Sequence, residues 1–257
     1  MSSADFDLST DFIDGIGGVR LAIHTMGDPR ARPVLLLHGL FSSAEINWIR
    51  YGHAAKLAAT GRYVIMPDMR AHGQSEASQD PAAYPMGVLV DDALTIVRTL
   101  GLTAFDLGGF SLGSRTSVRA VLAGLPPERL ILGGMGLEGL AGWMKRSAFF
   151  IDAIDRFGTI RPGDPAYIAQ QFMKQMNIDR QAARLLLQSI DDTPPDALAA
   201  LTMPTLVVCG DKDNDNGSAT RLVEALPDAR YAEIPGTHMG SVTQRELGDA
   251  MVGFLEE

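Results

Sequence analysis

Apolar runs of four to seven residues, bounded by Gly, Pro or Asp, alternate along this chain with longer stretches whose apolar positions recur every three or four residues. Short buried strands separated by amphipathic helices are the signature of a largely parallel sheet with helices on both faces. Residues 34–38 are nearly all apolar, as a strand covered on both sides must be. Residues 63–67, 104–110, 129–135, 204–209 and 230–234 repeat that pattern. Residues 6–14 and 19–26 instead alternate apolar and polar positions around Gly15, Gly17 and Gly18, which predicts an antiparallel hairpin at one edge. Helices are predicted over 45–60, 86–100, 111–123, 218–226 and 241–256. From Gly136 to about Pro195 the strand pattern stops, and Trp143, Phe149, Phe150, Phe157, Tyr167, Phe172, Met173 and Met176 recur at helical spacing. This stretch, far beyond ordinary loop length, is expected to be a helical insertion over 136–195 in a core made of 1–135 and 196–257.

Composition narrows the class of function. The 257 residues carry 46% hydrophobic and 21% charged residues, ordinary for a folded globular chain and enough for a substantial core. The net charge of −9 has the wrong sign for binding nucleic acid or an anionic membrane, so a small-molecule substrate is expected instead. A single cysteine, Cys209, forms no intrachain disulfide and sits in an apolar strand, which fits a reducing compartment and a buried structural thiol. Residues 1–7 carry two acids, no base precedes Arg20 and there is no apolar stretch, so no secretory leader is expected. No run approaches the roughly 18 apolar residues of a membrane span. The expected location is the cytoplasm. Nothing in the sequence speaks to oligomeric state.

One strand-to-helix junction carries chemistry. The strand 104–110 runs into Gly109-Phe110-Ser111-Leu112-Gly113, a Gly-x-Ser-x-Gly string opening a helix. A serine on so sharp a turn has a strained backbone, needs small neighbours, and presents its hydroxyl at a helix N-terminus where N–H groups stabilise negative charge. The hydroxyl needs a general base, and of the five histidines His238 follows the last predicted strand, at the carboxyl edge of the sheet where α/β active sites lie. His24 falls in an early strand, His53 in a helix and His72 in a turn. An acid must orient the base; Asp211, Asp213 and Asp215 follow the preceding strand at the same edge, and Glu138 follows the strand before that.

With these residues in place the chain resembles the α/β-hydrolase fold superfamily, and in particular serine hydrolases with a helical cap of esterase or lactonase type. Four signatures fall in the family's order: His38-Gly39 after a strand, Asp68-Met69-Arg70-Ala71-His72-Gly73-Gln74-Ser75, the Ser111 elbow, and the late Asp and His. The resemblance implies a mostly parallel eight-stranded sheet flanked by helices, with the cap inserted after strand 6. It implies a triad of Ser111, Asp213 and His238, the family's Gly-x-x-Asp selecting Asp213 over its neighbours. It implies an oxyanion hole from the backbone N–H groups of Leu40 and Leu112, and substrate contacts from Phe41, Trp143, Phe150 and Met239. Ala71 stands where the family more often has glycine, and the proline that often follows the family's acid is missing.

The expected activity is cleavage of a small to medium, rather apolar ester or lactone. Carbon–carbon bond hydrolases of ring-cleavage products share the architecture, but their Gly/Pro-rich stretch after His-Gly is absent here. Peroxide replacing water at an acyl-enzyme gives a haloperoxidase or perhydrolase side reaction, and a non-catalytic receptor for small molecules on the same fold is the reading from another class. Dehalogenases and epoxide hydrolases of this fold put Asp where Ser111 stands. No metal is expected, because the Asp211-x-Asp213-x-Asp215 string lacks the glycine and distal Glu of a calcium loop, and no organic cofactor is implied, since the glycines near Gly133 do not form a dinucleotide fingerprint.

Overall fold

A computed structural model describes residues 6–257; residues 1–5, on which the reading of the amino terminus largely rests, lie outside the described residues. Eight strands form one sheet in the order β1-β2-β4-β3-β5-β6-β7-β8. They are β1 (Ser9–Asp14), β2 (Arg20–Met26), β3 (Arg32–Leu37), β4 (Arg62–Pro67), β5 (Asp106–Phe110), β6 (Leu130–Gly133), β7 (Thr205–Gly210) and β8 (Ala229–Ile234). β1 and β2 pair antiparallel as an edge hairpin, β2 pairs antiparallel with β4, and from β4 to β8 every pairing is parallel.

Alternation within β3 shows why its sequence is apolar throughout. Leu35 and Leu37 enter the cluster under α2 (Val88–Thr99) and α3 (Leu112–Leu122), while Val34 and Leu36 enter the one under α1 (His53–Ala59) and α10 (Arg245–Leu255). α8 (Ala219–Ala225) adds Leu222 to the first cluster. Between β6 and β7 lie α4 (Leu137–Ala141), α5 (Trp143–Asp155), α6 (Tyr167–Gln175) and α7 (Arg180–Gln188). Their buried residues, among them Leu140, Trp143, Met173, Ala183 and Leu186, are continuous with the first core cluster. Among the described residues no helix is long and apolar enough to cross a membrane.

Several expected elements differ in detail, β1 and β6 among them, which span Ser9–Asp14 and Leu130–Gly133 where 6–14 and 129–135 are expected. The helix expected over 45–60 is two pieces, a wide turn at Glu45–Ile49 and α1, because Gly52 between them takes a left-handed φ of 79°. Strand β5 starts at Asp106 rather than at 104. The last helix is also split: a single turn, α9 (His238–Ser241), capped by the Thr237 hydroxyl, precedes α10. His238 therefore opens a helix turn instead of lying in open loop.

Candidate active site

The elbow between β5 and α3 is built by steric exclusion. A Cβ on Gly109 would collide with the backbone of Gly113, and one on Gly113 would collide with the Leu37 carbonyl. Only hydrogen fits at either place, so the strand can fold back into the helix this tightly. Ser111 sits at the apex with φ 53° and ψ −109°, a conformation that costs a non-glycine residue about 1–3 kcal/mol and is held by the Ser111 N–H bond to the Gly133 carbonyl at 2.8 Å.

Two loops flank it. On one side, His38 and His72 clasp the segments 38–41 and 68–75 together. His38 Nε2 accepts the Met69 N–H at 2.9 Å and His72 Nε2 accepts the Phe41 N–H at 2.9 Å. Each ring must then carry its proton on Nδ1, where it donates to the Gly39 and Arg70 carbonyls respectively. Both imidazoles are buried, and burial pushes both toward the neutral form, His72 down to about 3. The Asp68 carboxylate completes the clasp by accepting the Ala44 and Gln74 N–H groups and facing His24 at 3.0 Å. Phe41 and Ala71 are held at positive φ, 57° and 64°; the second explains why glycine is usual at that place.

On the other side, the loop after β7 brings Asp213 to His238, whose Nδ1 lies 2.8 Å from Oδ2. The competing acids are engaged elsewhere. Asp211 accepts the Gly236 N–H at 2.7 Å, Asp215 is exposed, and Glu138 accepts the Ser218 N–H at 2.8 Å and pairs with Arg221. The His238 ring also stacks obliquely on Phe110, with centroids 5.1 Å apart. Among the described residues the hydrogen bond to Ser111 Oγ comes from Asn216 Nδ2 at 3.4 Å, and none joins Oγ to His238.

A cavity of about 1240 Å³ lies over Ser111 and beneath the helices that follow β6, larger than the roughly 300–1,000 Å³ of most ligand pockets. Ser111, His238, Leu40 and Leu112 all line it, as do Phe41, Trp143, Phe150 and Met239. Asp213, behind His238, does not. Among the described residues the Leu40 and Leu112 N–H groups have no protein acceptor. Cys209 is away from the cavity, and burial raises its thiol to about 12, so it is inert.

Three residues on the cavity wall escaped the sequence reading. Asn216 is one. Ser42 is another, with its Oγ buried and unpartnered among the described residues. The third is Arg115, whose guanidinium donates to the Gly139, Leu140 and Asp191 carbonyls and so ties α3 to both ends of the helical stretch between β6 and β7. Its spacing from Ser111, one helical turn, was the available signal.

The α/β-hydrolase fold family matches residues 32–131. A monoacylglycerol lipase of Mycolicibacterium smegmatis is 29% identical over 229 residues, covering 77% of each chain. Among solved structures, an esterase of Exiguobacterium antarcticum superposes with a TM-score of 0.78 at 19% identity, over 97% of this chain and 100% of its own. A bromoperoxidase of Bacillus anthracis superposes with a TM-score of 0.74 at 20% identity, over 97% and 100%. At such identities the superpositions speak to the fold, and the strand order, the elbow and the sequence match agree with them: the chain has the α/β-hydrolase fold.

Proposed function

We propose that this chain is a serine hydrolase that cleaves a small to medium, rather apolar carboxylic ester or lactone through an acyl-enzyme on Ser111. The observation that carries the reading is the hydroxyl of Ser111, on its strained backbone, sharing one cavity with His238, which Asp213 backs through Nδ1. With Nδ1–H committed to Asp213, the lone pair of His238 is on Nε2, available to take the Ser111 proton. The serine oxygen bonds the substrate carbonyl carbon, and the Leu40 and Leu112 N–H groups stabilise the oxyanion. His238 returns its proton to the leaving alcohol; water then repeats the sequence on the acyl-enzyme.

The wall supports an apolar substrate. Phe41 and Phe150 meet edge to face at 5.5 Å, and Trp143 and Phe172 extend the lining. The monoacylglycerol lipase relative brings glycerol monoesters into the class to be tried. The test is intact-mass analysis after a fluorophosphonate probe, on wild type and Ser111→Ala, followed by p-nitrophenyl esters of increasing chain length. Stoichiometric labelling lost in the variant, with ester turnover, is the expected result. A folded wild type that is not labelled would overturn the reading in favour of a small-molecule receptor.

A further inference from the structure

We infer that Asn216 is a further catalytic residue: its side-chain N–H is a hydrogen-bond donor to Ser111 Oγ that supports the oxygen whenever it carries negative charge. The inference rests on the role proposed for Ser111 and goes beyond it.

The amide can face only one way. Asn216 Nδ2 lies 2.7 Å from the Gly134 carbonyl, which accepts but cannot donate, so the NH₂ end points there and its second hydrogen is left for Ser111 Oγ at 3.4 Å. The residue is 5% exposed. Its own carbonyl accepts the Gly139 N–H at 2.8 Å, and a Cβ on Gly139 would press on the Asn216 Cβ at 2.6 Å, so only glycine lets α4 close on this side chain. The donor is thus fixed before substrate arrives.

A serine hydroxyl has one proton and two lone pairs. Accepting an N–H on one lone pair turns the O–H away from Asn216 and leaves it for His238 Nε2. In acylation the O–H bond breaks, the proton goes to Nε2, and the oxygen electron pair forms the bond to the carbonyl carbon. In deacylation water adds to that carbon and gives its proton to Nε2. The C–Oγ bond then breaks, its electron pair stays on Oγ, and Oγ takes the proton back from Nε2. Charge builds on Oγ in both steps, and a 3.4 Å contact has room to shorten as it does. Asn216 moves no proton; it supplies a fixed dipole at an atom that the Leu40 and Leu112 amides do not serve.

A purely structural account is that Asn216 anchors its loop to Gly134. The experiment measures fluorophosphonate labelling rates of Ser111 from pH 5 to 9 in wild type, Asn216→Ala and the near-isosteric Asn216→Asp, with circular dichroism to verify folding. The donor role predicts labelling slowed about tenfold or more in Asn216→Ala, less than loss of a full oxyanion donor. In Asn216→Asp it predicts slower labelling still, with the pH midpoint moved upward because a carboxylate favours the protonated imidazole. Should Asn216→Ala fold poorly, the Asp variant carries the test through its midpoint. Wild-type rates in both variants, or equal slowing with an unmoved midpoint, would overturn the inference. Failure of wild type to label overturns the Ser111 reading itself, which keeps the two failures distinct.

Discussion

The two loops that flank Ser111 are held in opposite ways. The 38–41 and 68–75 segments are cross-braced by His38, His72 and Asp68, all buried, with partners that lie within the sheet core or its own connecting loops. The 211–218 loop leans on the helices that follow β6: Ser218 bonds Glu138, the Asn216 carbonyl takes the Gly139 N–H, and Arg146 reaches the Asp215 carbonyl. A shift of the α4–α7 helices is therefore expected to pull on the acid and its histidine while leaving the Leu40 amide in place. The half proposed to hold the oxyanion is braced within the sheet and its loops, and the half proposed to orient His238 is shared with the helices between β6 and β7.

The largest break in this comparison removes the acid outright. Asp213→Asn keeps shape but presents an amide to His238 Nδ1, favouring the wrong tautomer, and the expected loss in kcat is about 10⁴-fold. Ester turnover under saturating substrate measures it, and near wild-type turnover would place the acid elsewhere.

Acid stability breaks the other half. His38 and His72 are neutral when folded, with pKa values pushed below the unfolded value near 6.5, so the unfolded chain binds more protons in between. Their contribution is complete above that value and drains as pH falls toward the folded one, by up to about 1.4 kcal/mol per pH unit for each ring. In His72→Gln an acceptor for the Phe41 N–H survives without the titration. Denaturant melts between pH 7.5 and 5 should show a shallower loss in the variant. An identical slope would mean that His72 is not part of the acid response.

How much of this was legible in the sequence follows from the same physics. The strands could be read because a sheet covered on both faces demands unbroken apolar runs such as Val34-Leu35-Leu36-Leu37. The elbow could be read because steric exclusion at Gly109 and Gly113 leaves few residue choices. The split of the helix at Gly52 was less visible, since a lone glycine is also tolerated inside helices. Asn216 and Arg115 were missed for a different reason. Each acts on backbone carbonyls far along the chain, Gly134 for one and Gly139, Leu140 and Asp191 for the other, and a carbonyl has no signature in sequence.

The smallest expected effect is the one that sharpens the comparison most. Glu138 lies in α4, the first helix after β6, its side chain about half exposed, with its carboxylate held below its ordinary value chiefly by the Ser218 N–H. Its pairing with Arg221 is exposed on both sides, and such pairs contribute about 0–1 kcal/mol. Glu138→Gln removes the charge but keeps a carbonyl oxygen for Ser218, so turnover should stay within about threefold of wild type. Glu138→Ala removes the acceptor as well, freeing the acid loop from α4, and should lower turnover further than Gln with little change in thermal midpoint. Near-normal Gln beside a slower Ala would identify the latch as a hydrogen bond, with charge incidental. If Glu138→Gln instead fell as far as Asp213→Asn, the orienting acid would belong to α4 itself, and the division between a loop that supports the acid and an acid that does the work would collapse.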